Sequence, residues 1–417
     1  MAKRIYLCLA HMSEAGLEQK YIQEAFDTNW VVPLGPNVNG FEKDLEDFVG
    51  ENKRVVALSA GTAAVHLGLI ACGVGPGDEV LVQSFTFCAS SHPVTYLGAT
   101  PVFVDSEPDT WNMDPALLEE AIKDRIAKTG KTPKAIVPVA LYGMPYRIDR
   151  IMEVADKYGI PVVEDAAEGF GSRYKGQVLG TFGRYGVLSF NGNKMITTSG
   201  GGALITPDEE SWREIMMYAT QYRESYPYYQ HEKIGYNYRM SNICAGIGRG
   251  QMTVLEDHLA HHRHVQKLYE ELLAGVPGVQ VHAQPAGGDF DSNFWLCTLT
   301  LDPALRVKGQ ENAYKAIVQG AVGGAAGVIH AASSAVTDCQ PNDNVEAMRV
   351  WLDAAGVEAR PVWKPMHRQP VYRDCPAYVN GVSEAIFKVG MCLPAGPYVS
   401  DEDVRYIVET IKNGIEG

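Results

Sequence analysis

The chain has 417 residues, 46% of them apolar, and a formal net charge of −14, enough for one large core plus a smaller second one, since single cores stop growing at roughly 250–300 residues. That acidic excess repels phosphate backbones and anionic lipid, which argues against general nucleic-acid or membrane-surface binding and leaves any anionic ligand in need of a local site. Eight cysteines without a C-x-x-C pair argue against a zinc ribbon or disulfide scaffold, and most of them read as buried thiols in a reducing cytoplasm.

In chain order, the basic start MAKR precedes an apolar run, Ile5 to Ala10, that is too short for a signal-peptide core and reads as an early strand or loop. No stretch approaches the ~20 apolar residues of a membrane span, so the expected setting is cytoplasmic. Residues 14–28 and 40–49 carry apolar positions at helical spacing, with NWVVPLGPNVNG between them as a Pro/Gly-punctuated loop. From about 54 to 206 short Val/Ile-rich runs alternate with helical segments: RVVALS and a helix from Thr62, EVLVQS and a helix from about Phe87, TPVFVD, KAIVPVA, a helix at 148–158, IPVVEDA, YGVLSF and GALIT. This alternation predicts a mostly parallel sheet covered on both faces, with ligands beyond the carboxyl ends of its strands. Residues 241–275 read as one long helical stretch leading into a mixed region of strands (FWLCTLTL, EARPVW) and helices (NVEAMRVWLDAAG, DEDVRYIVETIKNG). The Ala/Gly-rich GAVGGAAGVIHAASSAV within 319–336 is open between loose loop and close packing.

Three loops and one lysine carry candidate chemistry. SAGTAAVHLGLIACG sets Gly61, Thr62 and Ala63 where strand gives way to helix, an anion site if the N–H groups are free and an ordinary Thr N-cap if they are not. IPVVEDAAEGFG puts Glu164, Asp165 and Glu168 at the end of a strand too apolar to be exposed. A carboxylate there needs a partner, structural or functional. SFTFCASSHP offers Phe87, as core or as a stacking platform. In GVLSFNGNKMITTSGGGALIT, Lys194 lies between an Asn-Gly-Asn turn and a Ser-Gly-Gly-Gly run that permits close backbone approach. It is either a surface lysine of a hairpin loop or an amine able to attack an aldehyde. Together, a phosphate cradle (Thr62, Ala63), a ring-stacking Phe87, Asp165 for a ring nitrogen and the Lys194 amine are the parts that pyridoxal phosphate requires, and Ser189 could add a phosphate hydrogen bond.

The chain resembles the DegT-type sugar aminotransferases of the fold-type I, aspartate aminotransferase-like pyridoxal phosphate enzymes. The resemblance covers nearly the whole length, through VPLGPNVNGFE, SAGTAAVHLGL, GDEVLVQSFTFCAS, PVFVDSEPDTWNMDP, VVEDAAEGFGSRYKG, LGTFGRYGVLSFNGNKMITTSGGGALIT and GYNYRMSNICAGIG. It implies an α/β fold with a large cofactor-binding domain at 1–250, built on a mostly parallel sheet, and a smaller α+β domain at 251–417. It also implies Lys194 as the cofactor lysine, Asp165 as partner of the pyridinium, Phe87 as the stacking ring, and Thr62, Ala63 and Ser189 as phosphate ligands. Glu168 falls beside the cofactor's hydroxyl, and Asn237 on the phosphate of a neighbouring subunit's cofactor, implying a homodimer with shared sites.

SFNGNKMITTSGGG, SNFWL and EARPVWKPMHRQPVY look like the branch that makes UDP-4-amino-4,6-dideoxy-N-acetylglucosamine on the way to bacillosamine. The implied reaction is a ping-pong transfer from L-glutamate, with Lys194 as proton carrier, to the 4-keto group of a nucleotide-linked 6-deoxy sugar; dTDP- or GDP-linked sugars are the alternatives. For the nucleotide diphosphate, Arg360, Lys364, His367 and Arg368 are candidate donors, against a solvated basic loop. Arg239 is either a substrate contact or a structural anchor, and Asn29 and Trp30 line the sugar pocket by resemblance. A sugar dehydratase of the same fold would carry histidine at position 194. A regulatory pyridoxal phosphate sensor would carry a DNA-binding motif or basic patch, and a nicotinamide dehydrogenase an early G-x-G-x-x-G.

Overall fold

The computed structural model describes residues 4–314 and 339–416. Within them the Val/Ile-rich runs become β1 (Arg54–Leu58), β2 (Glu79–Gln83), β3 (Thr100–Val104), β4 (Ala135–Val137), β5 (Val163–Asp165), β6 (Tyr185–Ser189) and β7 (Gly202–Thr206). All but the first residue of β1, β2 and β3 are buried, and β6 and β7 are buried throughout, as in a sheet covered on both faces. The strand order is Ala377–Tyr378, β3, β2, β4, then β5, β6, β7, β1, and the parallel bridges Ile136 to Val162 and Val139 to Asp165 join the two halves. Every pairing is parallel except those of β7, which runs against both β6 and β1. The carboxyl ends of β5 and β6 therefore open on the same side, where the candidate residues lie.

Helices cover both faces. α1 (Leu17–Asp27) and α2 (Pro36–Val49) pack against α4 (Asn242–Met252), and α3 (Gly61–Ala71) packs on β6 and β7. Three predicted stretches need correction. The loop expected at 29–40 ends early, because Pro36, with φ already preset for a helix, starts α2 behind Gly35. The long helix expected over 241–275 is broken at Thr253 and Val254, where α4 stops and α5 (Leu255–Leu273) begins. The predicted helix from Phe87 is a three-residue turn, Cys88–Ser90, and a short helix, His92–Tyr96.

A second, antiparallel sheet holds the C-terminal part together. Its strands are β8 (Val279–Val281), β9 (Cys297–Leu301), β10 (Arg360–Pro361) and β11 (Gly390–Leu393), in the order β8, β9, β11, β10. Helices Asp343–Ala354, Asp401–Gly414 and α5 cover it, burying Met348, Ile407, Val265 and Tyr269 with Leu299 and Met391. Ile5 is buried in this same core, exchanging backbone hydrogen bonds with Gly356 and Glu358. The Ala/Gly-rich stretch of 319–336 lies outside the described residues. No helix among the described residues is long and apolar enough to cross a membrane.

Candidate active site

A cleft of about 320 Å³ opens at the carboxyl ends of β1, β2, β5 and β6, and Thr62, Phe87, Asp165, Glu168, Ser189 and Lys194 all line it. Its floor is set by glycine. A Cβ on Gly202 would collide with the backbone nitrogen of Gly61 and lie 2.7 Å from Ala60 O, and one on Gly61 would lie 3.0 Å from Ser189 Cβ. The start of α3 is thus pressed against β6 and β7. Ala60 precedes it without a side-chain cap, and among the described residues no acceptor meets the amides of Gly61, Thr62 or Ala63. The competing reading of Thr62 as a simple N-cap falls away, because the hydroxyl follows the cap position. Ala63 sits in the same first turn, behind the cleft wall.

The two acids at the end of β5 divide their labour. Glu164 points into the protein, accepting from the amides of Gly180 (3.0 Å), Phe182 (2.7 Å) and Gly183 (2.5 Å) and from the Tyr146 hydroxyl; it is a structural anchor. Asp165 points into the cleft, accepting from Ser90 Oγ at 2.6 Å and Ala167 N at 3.2 Å. Burial pushes the Asp165 carboxyl above the ordinary range, with the Ser90 hydrogen bond and the Lys194 charge pulling the other way. Burial raises Glu168 too, opposed first by Lys194 and then by the amide of Tyr142, which donates to Glu168 Oε2 at 2.7 Å.

Lys194 is not a surface lysine. Its side chain is 14% exposed, its Nζ lies 3.6 Å from Glu168 Oε1, and it stands 4.2 Å from the centre of the Trp295 ring. The amine is held between a carboxylate and an aromatic face. Trp363, stacked near Tyr142 and tilted against Phe87, closes the other side. Cys8 is buried against Trp295, and its thiol is pushed up to about 12 by burial.

Sequence reasoning passed over Ser90, Tyr142, Trp295 and Trp363. Trp295 and Trp363 sit in SNFWL and EARPVW, segments whose only sequence signal was branch resemblance. Other candidates lie elsewhere. Of the two readings of Arg239, the contacts match the structural anchor: its side chain is 8% exposed, ion-paired with Glu42, and donates to Ala57 O at 3.0 Å. His367 lies outside the cleft lining, between Ser84 Oγ at 2.6 Å and Glu384 Oε1 at 3.0 Å. Arg360 pairs with Glu358 at 2.9 Å, and neither it nor Lys364 nor Arg368 is in the cleft wall. Asn29 and Trp30 are exposed outside it, with Trp30 O tied to Asn242 Nδ2. Asn237 is exposed and also outside this cleft, bridged to Thr220.

The donor set fits pyridoxal phosphate. An uncapped helix start offers N–H groups to a phosphate, a buried carboxyl faces the space a ring would fill, and a primary amine stands opposite. At the carboxyl ends of a mostly parallel sheet with one reversed strand, these parts define a pyridoxal phosphate-dependent transferase of fold type I. The chain belongs to the DegT/DnrJ/EryC1/StrS aminotransferase family, whose model matches residues 13–322 and 325–412.

It is 42% identical over 99% of its length, and 96% of the relative's, to EpsN of Bacillus subtilis (strain 168), named as a pyridoxal phosphate-dependent aminotransferase. It is 35% identical to the GDP-perosamine synthase of Caulobacter vibrioides, covering 95% of each chain. Among solved structures, a DegT DnrJ EryC1 StrS aminotransferase from Brucella abortus superposes with a TM-score of 0.81 at 28% identity, covering 96% of this chain and 95% of that one. The chain is accordingly a pyridoxal phosphate-dependent aminotransferase of nucleotide sugars.

Proposed function

We propose that the enzyme moves an amino group from L-glutamate to the 4-keto group of a UDP-linked 2-acetamido-2,6-dideoxy-4-ketohexose, as a homodimer with shared active sites. The observation that carries the reading is the Lys194 amine, shielded in the cleft between Glu168 and Trp295 with Asp165 beyond it. Pyridoxal phosphate, when bound, supplies an aldehyde and an electron-accepting ring. Lys194 would hold that aldehyde and, once released, carry a proton to and from the substrate carbon. The amides of Gly61, Thr62 and Ala63, with Ser189, would hold the phosphate. Asp165, kept in place by Ser90, would keep a proton on the ring nitrogen, and Phe87 would cover the ring.

Support for the UDP-4-keto sugar comes from the branch resemblance of SFNGNKMITTSGGG, SNFWL and EARPVWKPMHRQPVY, parts of which form the cleft wall. A GDP-linked keto-sugar is favoured instead by the likeness to GDP-perosamine synthase. Asn237, exposed and away from its own cleft, would reach the phosphate in a second copy. The test is glutamate-dependent turnover of the UDP-, GDP- and dTDP-linked 4-keto-6-deoxy sugars side by side; equal or better use of a GDP or dTDP substrate rejects the UDP assignment. Borohydride should fix the cofactor to the native chain and not to Lys194→Ala. Mixing Lys194→Ala with Asn237→Ala subunits should restore part of the activity if sites are shared.

A further inference from the structure

The peptide carbonyls on the two sides of Lys194 are both held by ring N–H groups from the C-terminal half of the chain. Trp295 Nε1 donates to Asn193 O at 2.6 Å, and His258 Nδ1 donates to Met195 O at 3.2 Å. His258 and His262 lie one turn apart on α5, on the same helix face. His262 Nδ1 donates at 3.1 Å to the carbonyl of Phe294, the residue before Trp295. Phe294 has φ 46°, a left-handed conformation that persists only where neighbours hold it. One helix thus fixes both the Met195–Ile196 peptide, one residue beyond the lysine, and the peptide before the indole that holds the peptide preceding the lysine.

Both histidines are buried, and burial pushes their imidazoles down, that of His262 to about 3. Burial disfavours the charged form of each, and each Nδ1–H is committed to a carbonyl. The same segment also secures the opposing acid. Asn293 Nδ2 donates to Glu168 O and Phe170 O, both at 2.9 Å, and Asn293 Oδ1 accepts from Trp295 N at 2.8 Å.

We infer that His258 and Trp295, with His262 behind them, are positioning residues that bracket Lys194 and keep its amine against Glu168. This rests on the reading of Lys194 as the cofactor lysine. A lysine side chain has four rotatable bonds, so its amine is placed well enough to move a proton only if its stem starts from a fixed point. Pinning the peptide before it and the Met195–Ile196 peptide just beyond it provides that point. The bracket also makes the packing of α5 a determinant of lysine reactivity, although α5 contributes nothing to the cleft wall.

The test uses Trp295→Phe, which keeps a ring and loses the N–H, His258→Leu, which loses the donor, and His258→Asn, which returns an amide N–H. In the apoprotein, reductive methylation with formaldehyde and cyanoborohydride reads the accessibility of Lys194 by peptide mass spectrometry, with Lys20 as internal reference. Lys194 should be labelled about five- to tenfold faster in Trp295→Phe and His258→Leu, as expected for loss of one such hydrogen bond, and near the native rate in His258→Asn. In the loaded enzyme the single-turnover rate with L-glutamate should fall by a similar factor, with KM for glutamate changed less than about twofold. Native labelling and turnover in both deletion variants would overturn the inference, as would a His258→Asn variant no better than His258→Leu. If His258→Leu does not fold, Trp295→Phe decides alone. Failure of borohydride to fix cofactor to the native chain would instead overturn the reading of Lys194, and the apoprotein labelling would still judge the bracket.

Discussion

Replacing Arg239 by Met removes the guanidinium that meets Glu42 and Ala57 O and leaves a carboxylate with 9% side-chain exposure without a counter-charge. Breaking one side of a buried ion pair costs about 3–5 kcal/mol. Glu42 keeps the amide of Ala57 at 2.8 Å, which places the expected loss at the lower end, about 3 kcal/mol. Burial already raises the Glu42 carboxyl above its ordinary value, with Arg239 opposing it; without Arg239 the rise is larger. A carboxyl raised in the folded state favours folding below its unfolded value, and this contribution disappears as pH rises through the folded value. The variant should therefore be weakest near neutral pH and recover part of its stability on acidification. Equilibrium urea unfolding followed by tryptophan fluorescence, near neutral pH and about two units lower, measures both effects. KM for the nucleotide sugar, taken well below the unfolding transition, should be unchanged. Native stability with a raised KM would show that Arg239 serves the substrate and that the anchor reasoning is wrong.

Three further outcomes are expected. Gly143, with φ 93° and a Cβ position that collides with Asn293 Oδ1, should not accept alanine: Gly143→Ala should lower stability by at least about 2 kcal/mol and weaken cofactor retention, read by dialysis and absorbance. Ser90→Ala removes a hydrogen bond that lowers the Asp165 carboxyl, so the acid limb of the kcat profile should move to higher pH, and an unmoved limb would separate Ser90 from Asp165 function. His367→Phe breaks the contacts to Ser84 and Glu384 and should reduce thermal stability while leaving KM for the nucleotide sugar within about twofold; a selective rise in KM would restore His367 as a substrate ligand.

The periodic and punctuated parts of the chain were legible before the structure. Short Val-rich runs became β1, β2 and β3, because burial on both faces leaves no alternation to misread. Thr62, Asp165, Ser189 and Lys194 share one cleft because each lies at or just beyond the carboxyl end of a strand, a rule that needs only sequence order. Trp295 and Trp363 were missed for the opposite reason: they reach the cleft from the C-terminal part, more than a hundred residues from Lys194, where no local pattern distinguishes a core tryptophan from a wall of the site. The partners of the basic loop are equally hidden from the sequence. A sequence shows Arg360 and His367 as charges near one another, but not that Glu358 and Glu384 already engage them.

The packing of Ile5 against Gly356 and Glu358, and of Cys8 behind Trp295, bears on how the molecule is made. Ile5 and Cys8 have no docking surface until the residues near positions 295 and 356–363 exist, and the wall of the cleft waits for the same part of the chain. The sheet through β7 can form early, with its helix start and its lysine loop in place, but the amine cannot be enclosed until Trp295 and Trp363 have been made. Contacts of such long sequence separation slow the last folding step. A partly made chain would then carry the phosphate-binding half of the site without the tryptophans that shield the lysine, and catalytic competence would arrive in one late event.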